Sequence, residues 1–182
     1  MPIDFGYFSL DSNFSSRFYP DYEILQKQVN HLKGVGAKIV LTSGSFDLFH
    51  IGHALYLEKA KQCGDILIVG VDDDDKIRVR KGDGRPVNPQ IERLQILSHL
   101  RYVDIITLKY GKDPKWELIK LIKPDLLVAT ADNYTSEEIF ELEQSYCSEV
   151  VVLTRQAETS TSAKVRKMNL KNAKNISDED IV

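Results

Sequence analysis

Apolar positions along the chain alternate between short unbroken runs and longer stretches with helical spacing. The runs are Ile39–Leu41, Asp65-Ile-Leu-Ile-Val-Gly-Val71, Tyr102–Leu108, Pro124–Ala129 and Glu149–Leu153. Apolar side chains on successive positions, bounded by turn residues, predict strands buried on both faces, as in a parallel sheet. Between the runs the period changes. Tyr22–Leu32 carries Ile24, Leu25, Val29 and Leu32 on one helical face and is closed by Gly34. A helix from about His53 to Cys63 turns Ala54, Leu57 and Ala60 inward and stops at Gly64. Others are predicted from Pro89, capped by Asn88, to about Leu100, and over Pro114–Ile122. Thr135–Tyr146, capped by Thr135 or Ser136, and Ser160 to about Met168 complete the set.

Five strands alternating with helices predict an α/β fold, an open five-stranded parallel sheet with helices on both faces. Each crossover should be right-handed. Ligands bind such sheets beyond the carboxyl ends of the strands, where the strand order switches. Segments 42–53, 72–88, 129–134 and 154–162 all fall at that end and predict one shared site. Three regions are expected: an N-terminal arm and helix (1–36), the sheet domain (37–170) and a flexible tail (171–182). Residues 1–20 are rich in aromatics and serine without a period, which fits an extended arm or a contact with a second subunit.

Composition narrows the function. At 182 residues, with 42% hydrophobic and 28% charged residues, the chain is one globular domain with a core of its own. A net charge of −3 argues against general nucleic-acid binding, which calls for a basic face. Cys63 and Cys147 are too few for a disulfide framework or a zinc site and are expected to be reduced thiols. No segment reaches the ~18–20 apolar residues of a membrane helix. Met1-Pro-Ile-Asp lacks a basic signal region, so a cytoplasmic protein is expected.

The densest chemistry follows the first strand, in Thr42-Ser-Gly-Ser-Phe-Asp-Leu-Phe-His-Ile-Gly-His53. A small-residue turn leads into a helix whose start carries two histidines three positions apart, so both rings face the same side. Gly52 between them leaves room for close approach to the backbone. The N–H groups of a helix start suit phosphate. Asp72–Asp75 reads as an acidic helix start, with magnesium or ribose contact by one of the four as the alternative, and Arg78–Pro89 reads as a basic, Gly/Pro-rich loop of the kind that binds or gates a ligand.

Gly44-Ser-Phe-Asp-Leu-Phe-His-Ile-Gly-His53 resembles the signature of the HxGH nucleotidyltransferases. The likeness continues through Glu92-Arg93, Arg101-Tyr-Val-Asp104 and Lys123-Pro-Asp-Leu-Leu-Val128 to Arg155 and Ser160-Thr-Ser162, covering nearly all of residues 37–168. Lys81-Gly-Asp-Gly-Arg-Pro-Val-Asn-Pro89 and the Lys123–Val128 run look most like heptose-1-phosphate adenylyltransferases. The first of these and Arg101–Asp104 are also similar to glycerol-3-phosphate cytidylyltransferases.

The resemblance implies a Rossmann-like sheet and transfer of a nucleotidyl group to a phosphorylated small molecule, with release of pyrophosphate. ATP is the expected donor and a sugar phosphate the expected acceptor. The alternatives are CTP with glycerol phosphate or another alcohol phosphate, and a catalytically quiet nucleotide-binding regulator. An aminoacyl-tRNA synthetase fragment, which shares the two-histidine signature, is set aside because the chain is short and acidic. His50, His53, Arg93 and Lys81 are the implied catalytic set. Ser43, Gly44, Ser45, Phe46, Gly52, Asp132, Arg155, Ser160, Thr161 and Ser162 are implied to bind the nucleotide, and Asp47 and Arg85 the acceptor. Magnesium is expected to arrive with the triphosphate, with no protein side chain assigned to it, and a homodimer is expected. The chain departs from the family's usual glycine pair with Ala129-Thr-Ala131, and has Glu158-Thr159 where a glycine is common.

Overall fold

A computed structural model describes residues 14–154. In chain order these form α1 (Phe14–Arg17), α2 (Tyr22–Gly34), β1 (Ile39–Gly44), α3 (Ile51–Lys61), β2 (Ile66–Asp72) and α4 (Asp74–Lys81). Next come α5 (Gln90–Ser98), β3 (Ile105–Lys109), α6 (Glu117–Ile122), β4 (Leu126–Thr130), α7 (Ser136–Ser145) and β5 (Glu149–Leu153). All five strands run parallel in the order β3-β2-β1-β4-β5, the expected open sheet. Central β1 pairs from Ile39↔Ile66 to Gly44↔Val71 on one side and from Val40↔Leu126 to Thr42↔Val128 on the other. Strand order reverses between β1 and β4, which makes that crevice the switch point.

The two-residue period of the strands divides the core. Val40, Leu67, Val69 and Val71 point to one face and pack with Leu57 and Ala60 of α3 and Leu94 and Leu97 of α5. Ile39, Leu41, Ile68 and Leu127 point to the other, against α2 (Leu25, Val29), α6 (Leu118, Ile122) and α7 (Leu142). Each fully buried aliphatic side chain stabilises the fold by roughly 1.5–3 kcal/mol. Helices on both faces follow from strands that are apolar on both.

Several boundaries differ from the sequence reading, each for a local reason. The stretch read as a basic loop from Arg78 is helical as far as Lys81, so the loop shortens to residues 82–89. Asp73 caps α4 by accepting from Lys76 N at 2.7 Å, Asp74 and Asp75 occupy its first turn, and Arg78, Arg80 and Lys81 its last. That charge order complements the helix dipole. Helix α5 starts at Gln90 with Pro89 in the capping position, and Asn88 does not cap it through a side-chain bond. Instead Asn88 Nδ2 donates to Glu92 at 2.5 Å, while its backbone N–H and that of Val87 are taken by Asp47. Strand β3 begins at Ile105 rather than Tyr102, because Asp104 turns its carboxylate to Leu67 N (2.7 Å) and Lys61. Helix α6 opens at Glu117 after Trp116, which adopts φ 64°.

The question left open for the N-terminal stretch is answered from residue 14 onward. The Arg17 guanidinium donates to the carbonyls of Ser98, Leu100 and Val103 at 2.9–3.2 Å, where α5 ends. Phe18 bridges Ile106, and Tyr19 N donates to Ile106 O at 2.9 Å. This segment therefore lies along the outer edge of β3 in its own subunit and covers that edge. Both cysteines are unpaired thiols, and burial pushes Cys147 up to about 11. Among the described residues no helix is long and apolar enough to cross a membrane.

Candidate active site

A cleft of about 790 Å³ opens at the carboxyl ends of the strands and runs from β3 to beyond β4. Its floor is the connection from β1 to α3. Phe46 and Leu48 there take left-handed backbone (φ 49° and 48°), a conformation non-glycine residues adopt rarely. The Phe46 ring folds back on Gly44, where a Cβ would lie only 3.1 Å from it, so Gly44 leaves the space the ring uses.

His50 is the N-cap of α3. Its Nδ1 accepts from Gly52 N at 3.1 Å. An accepting Nδ1 places the proton of the neutral ring on Nε2. His53 stacks on His50 with centroids 3.9 Å apart and lies edge-on to Phe46 at 5.5 Å. One turn later Tyr56, also lining the cleft, bonds Thr42 Oγ1 (2.7 Å) and Val128 O (3.1 Å), and burial pushes its hydroxyl up to about 12. The α3 start is thus fastened to both β1 and β4.

On the β2 and β3 side the cleft wall is cationic. Lys76, Arg80, Lys81, Lys109 and Lys115 line it, with Asp72 among them. Arg80 donates to Asp72 Oδ2 at 2.9 Å and to Ser45 Oγ at 3.3 Å, and Lys81 Nζ donates to the same hydroxyl at 3.0 Å. Desolvation, followed by the guanidiniums of Arg80 and Arg85, holds the Lys81 ammonium below its usual value. Desolvation likewise lowers Lys109, against the opposing pull of Asp72. Trp116 lines the same side, with the Lys115 ammonium 4.2 Å from its ring centroid.

The β4 side carries little charge. Val128, Ala129, Thr130, Asn133 and Tyr134 line it, with Asp132 at its rim. Asn133 Oδ1 accepts from Thr130 N (2.7 Å) and Oγ1 (2.8 Å), which fixes the turn after the strand. Burial pushes the Tyr134 hydroxyl up to about 12. Thr135 and Glu138 then form a capping box that starts α7.

The expected site residues are thus distributed unevenly. Ser43, Gly44, Ser45, Phe46, His50, Gly52, His53, Lys81 and Asp132 all line the cleft. Arg93 does not, although it was expected to reach a phosphate. It is 0% exposed, and its guanidinium donates to the carbonyls of Asn88, Ser45 and Asp72 and to Asp74 Oδ1, at 2.6–3.1 Å. Those bonds commit four of its five N–H groups to tying the β1–α3 turn to β2 and α4. Asp47 and Arg85, expected at the acceptor, pair with each other at 3.2 Å and hold the 85–88 turn from outside the cleft lining. Arg155, Ser160, Thr161 and Ser162 lie outside the described residues. The sequence reading placed segment 72–88 at the site without singling out Asp72, Lys76 or Arg80, and it did not reach Lys109 or Trp116. Positions 76 and 80 share a face once α4 is seen as a helix, and a lysine ending a strand apolar on both faces was the available signal for Lys109.

Comparison with known proteins agrees with this geometry. The profile described as cytidylyltransferase-like matches residues 41–181. The chain is 39% identical over 154 residues to the bifunctional protein HldE of Nitratiruptor, an alignment spanning 85% of this chain and 32% of that protein. It is 40% identical over 144 residues to the protein of the same name from Wolinella succinogenes, spanning 79% of this chain and 30% of that protein. It therefore spans about a third of the length of these relatives. Among solved structures, a lipopolysaccharide core biosynthesis protein from Thermoplasma volcanium superposes with a TM-score of 0.57 at 27% identity, covering 67% of this chain and all of the other. A pantoate-beta-alanine ligase from Francisella tularensis, at 18% identity and a TM-score of 0.58, shares the fold over 78% of this chain and 68% of its own.

Proposed function

The chain belongs to the cytidylyltransferase-like family, and from that premise we propose that it transfers the adenylyl group of ATP to the phosphate of a sugar 1-phosphate and releases pyrophosphate. One observation carries the reading. The stacked pair His50 and His53 stands between a half of the cleft at β4 that carries little charge beyond Asp132 and a cationic half at β2 and β3. A base and ribose suit the first half, and a phosphorylated acceptor suits the second. The triphosphate lies between them, on the helix start.

The reaction follows from that placement. An acceptor phosphate oxygen is already anionic, so it attacks the α-phosphorus without prior removal of a proton. As the P–O bond to the β-phosphate breaks, charge grows on the α-phosphoryl oxygens and on the leaving pyrophosphate. The Nε2–H of His50, aimed by the Gly52-to-Nδ1 bond, donates to that charge, and His53 stacks beside it. Arg80 and Lys81, anchored together on Ser45, hold the acceptor phosphate within reach of the α-phosphorus. Arg155 and Ser160–Ser162 carry the family's role at the β- and γ-phosphates. Magnesium, where present, comes with the triphosphate and offsets its charge.

ATP is favoured over CTP by the Lys81–Pro89 stretch, which resembles that of heptose-1-phosphate adenylyltransferases. A dimer belongs to the same proposal: exposed Val79, Val87 and Ile91 offer apolar surface for a second copy, and light scattering reads the outcome. The test of the reaction is a coupled pyrophosphate-release assay with ATP or CTP, each paired with heptose 1-phosphate or glycerol 3-phosphate. Release that depends on both ATP and the sugar phosphate is expected. Preference for CTP with glycerol phosphate would move the chain to the other branch, and nucleotide binding without turnover would make it a regulator.

A further inference from the structure

Asp72 is the last residue of β2, 2% exposed, and lines the cleft. Its Oδ2 accepts from Arg80 at 2.9 Å. Among the described residues its Oδ1 is buried and has no hydrogen-bond partner. Lys76 Nζ stands 3.9 Å from it, an ion-pair separation beyond hydrogen-bond reach. Lys109 lies directly across the β2–β3 ladder from the same residue.

A buried carboxylate oxygen left unpaired is unfavourable, so the site is completed by a ligand that brings a donor. Two kinds of donor group compete for it, a metal cation and a neutral hydroxyl. Lys76, Arg80 and Lys109 already surround the carboxylate and repel a divalent ion. A hydroxyl meets no such repulsion. Arg80 also links Asp72 to Ser45, so a phosphate held by Arg80 and Lys81 at Ser45 sits one guanidinium away from the open oxygen. A sugar ring is of the right size to bridge that separation.

We propose that Asp72 Oδ1 reads a ring hydroxyl of the acceptor, making it a specificity-determining residue for polyhydroxylated phosphates. The inference rests on the nucleotidyl transfer proposed above and adds the group that selects the acceptor. A phosphate without the hydroxyl leaves the carboxylate unpaired, and a site built around such a bond discriminates strongly against it.

The test is calorimetric. Heptose 1-phosphate, its monodeoxy analogues and inorganic phosphate are titrated into the protein in the presence of a non-hydrolysable ATP analogue. Wild type, Asp72→Ala and Asp72→Asn are compared, with thermal melting to confirm folding. Wild type should bind one monodeoxy analogue about 10- to 100-fold more weakly than the parent sugar phosphate. Asp72→Ala should bind both with the same reduced affinity, while inorganic phosphate binds it no more weakly than wild type. Asp72→Asn, close in shape, should show a reduced ratio and serves where the alanine variant does not fold. An unchanged ratio in the variants, or equal weakening of every sugar phosphate and of inorganic phosphate, would overturn the inference and leave Asp72 as a prop for Arg80. Absence of sugar phosphate binding to wild type removes the transfer reading as well, and is seen before any variant is made.

Discussion

His50 uses its two ring nitrogens for different purposes. Nδ1 caps α3 by accepting from Gly52 N, and in the proposed reaction Nε2–H donates to the phosphoryl charge. A substitution can therefore separate stability from rate. His50→Asn keeps a capping oxygen and should melt like the parent, with turnover reduced about 10²–10³-fold. His50→Ala should lose the same rate and also about 0.5–2 kcal/mol of stability. Chemical denaturation alongside pyrophosphate release checks both, and equal stability of the two variants would show that the cap contributes nothing. Lys109 allows a second prediction. Its pKa is lowered on folding, chiefly by desolvation, from the usual 10.5. Between the two values the unfolded chain binds more protons, so stability rises with pH toward 10.5. Lys109→Met removes the desolvated ammonium and should melt higher than wild type near neutral pH, with the gain shrinking as pH climbs. Melting curves from about pH 7 to about pH 10 read the slope. A variant less stable throughout would mean that the attraction to Asp72 outweighs desolvation.

Arg93 works at the scale of elements, joining the β1–α3 turn, the end of β2, the start of α4 and the entry to α5 through Ser45, Asp72, Asp74 and Asn88. Its removal leaves buried acceptors unpaired, at about 1–3 kcal/mol for each. Arg93→Ala should therefore lose at least about 3 kcal/mol in a denaturant titration, and Arg93→Lys most of that, because an ammonium cannot span the same four partners. Activity loss without stability loss would instead mark Arg93 as a phosphate contact that reorients on binding. The same scale shows what the sequence could reveal. The central strands were legible because burial on both faces makes their runs largely apolar, as in Ile66–Val71, and edge strand β5 was legible from Val150–Leu153 although its side chains stay partly exposed. Helix α4 was partly hidden because Ile77 is its one buried residue, leaving no apolar period to read. Its signal lay in the charge order from Asp73 to Lys81. The bonds of Arg93 to three backbone carbonyls were not legible, because an arginine in a motif looks the same whether it meets a phosphate or a carbonyl.

At the scale of the whole molecule, the strand order places β1 at the centre with the cations of α4 and the end of β3 on one side and the sparsely charged turn after β4 on the other. Strand number, parallel pairing and the strand-end location of the cleft followed from periodicity alone. The division of the cleft by charge did not, because Lys76, Arg80 and Lys109 come from separate segments that only the fold brings together. In the proposed reaction that division assigns two substrates to two halves of the cleft and the bond-forming step to the histidines between them. Phosphorus-31 NMR of the protein with ATP, magnesium and heptose 1-phosphate tests it most directly. The account predicts a new pair of diphosphate resonances from a nucleoside diphosphate sugar, growing in step with pyrophosphate while both substrates fall. Formation of AMP and pyrophosphate without that diphosphate, or of ADP and inorganic phosphate, would contradict it.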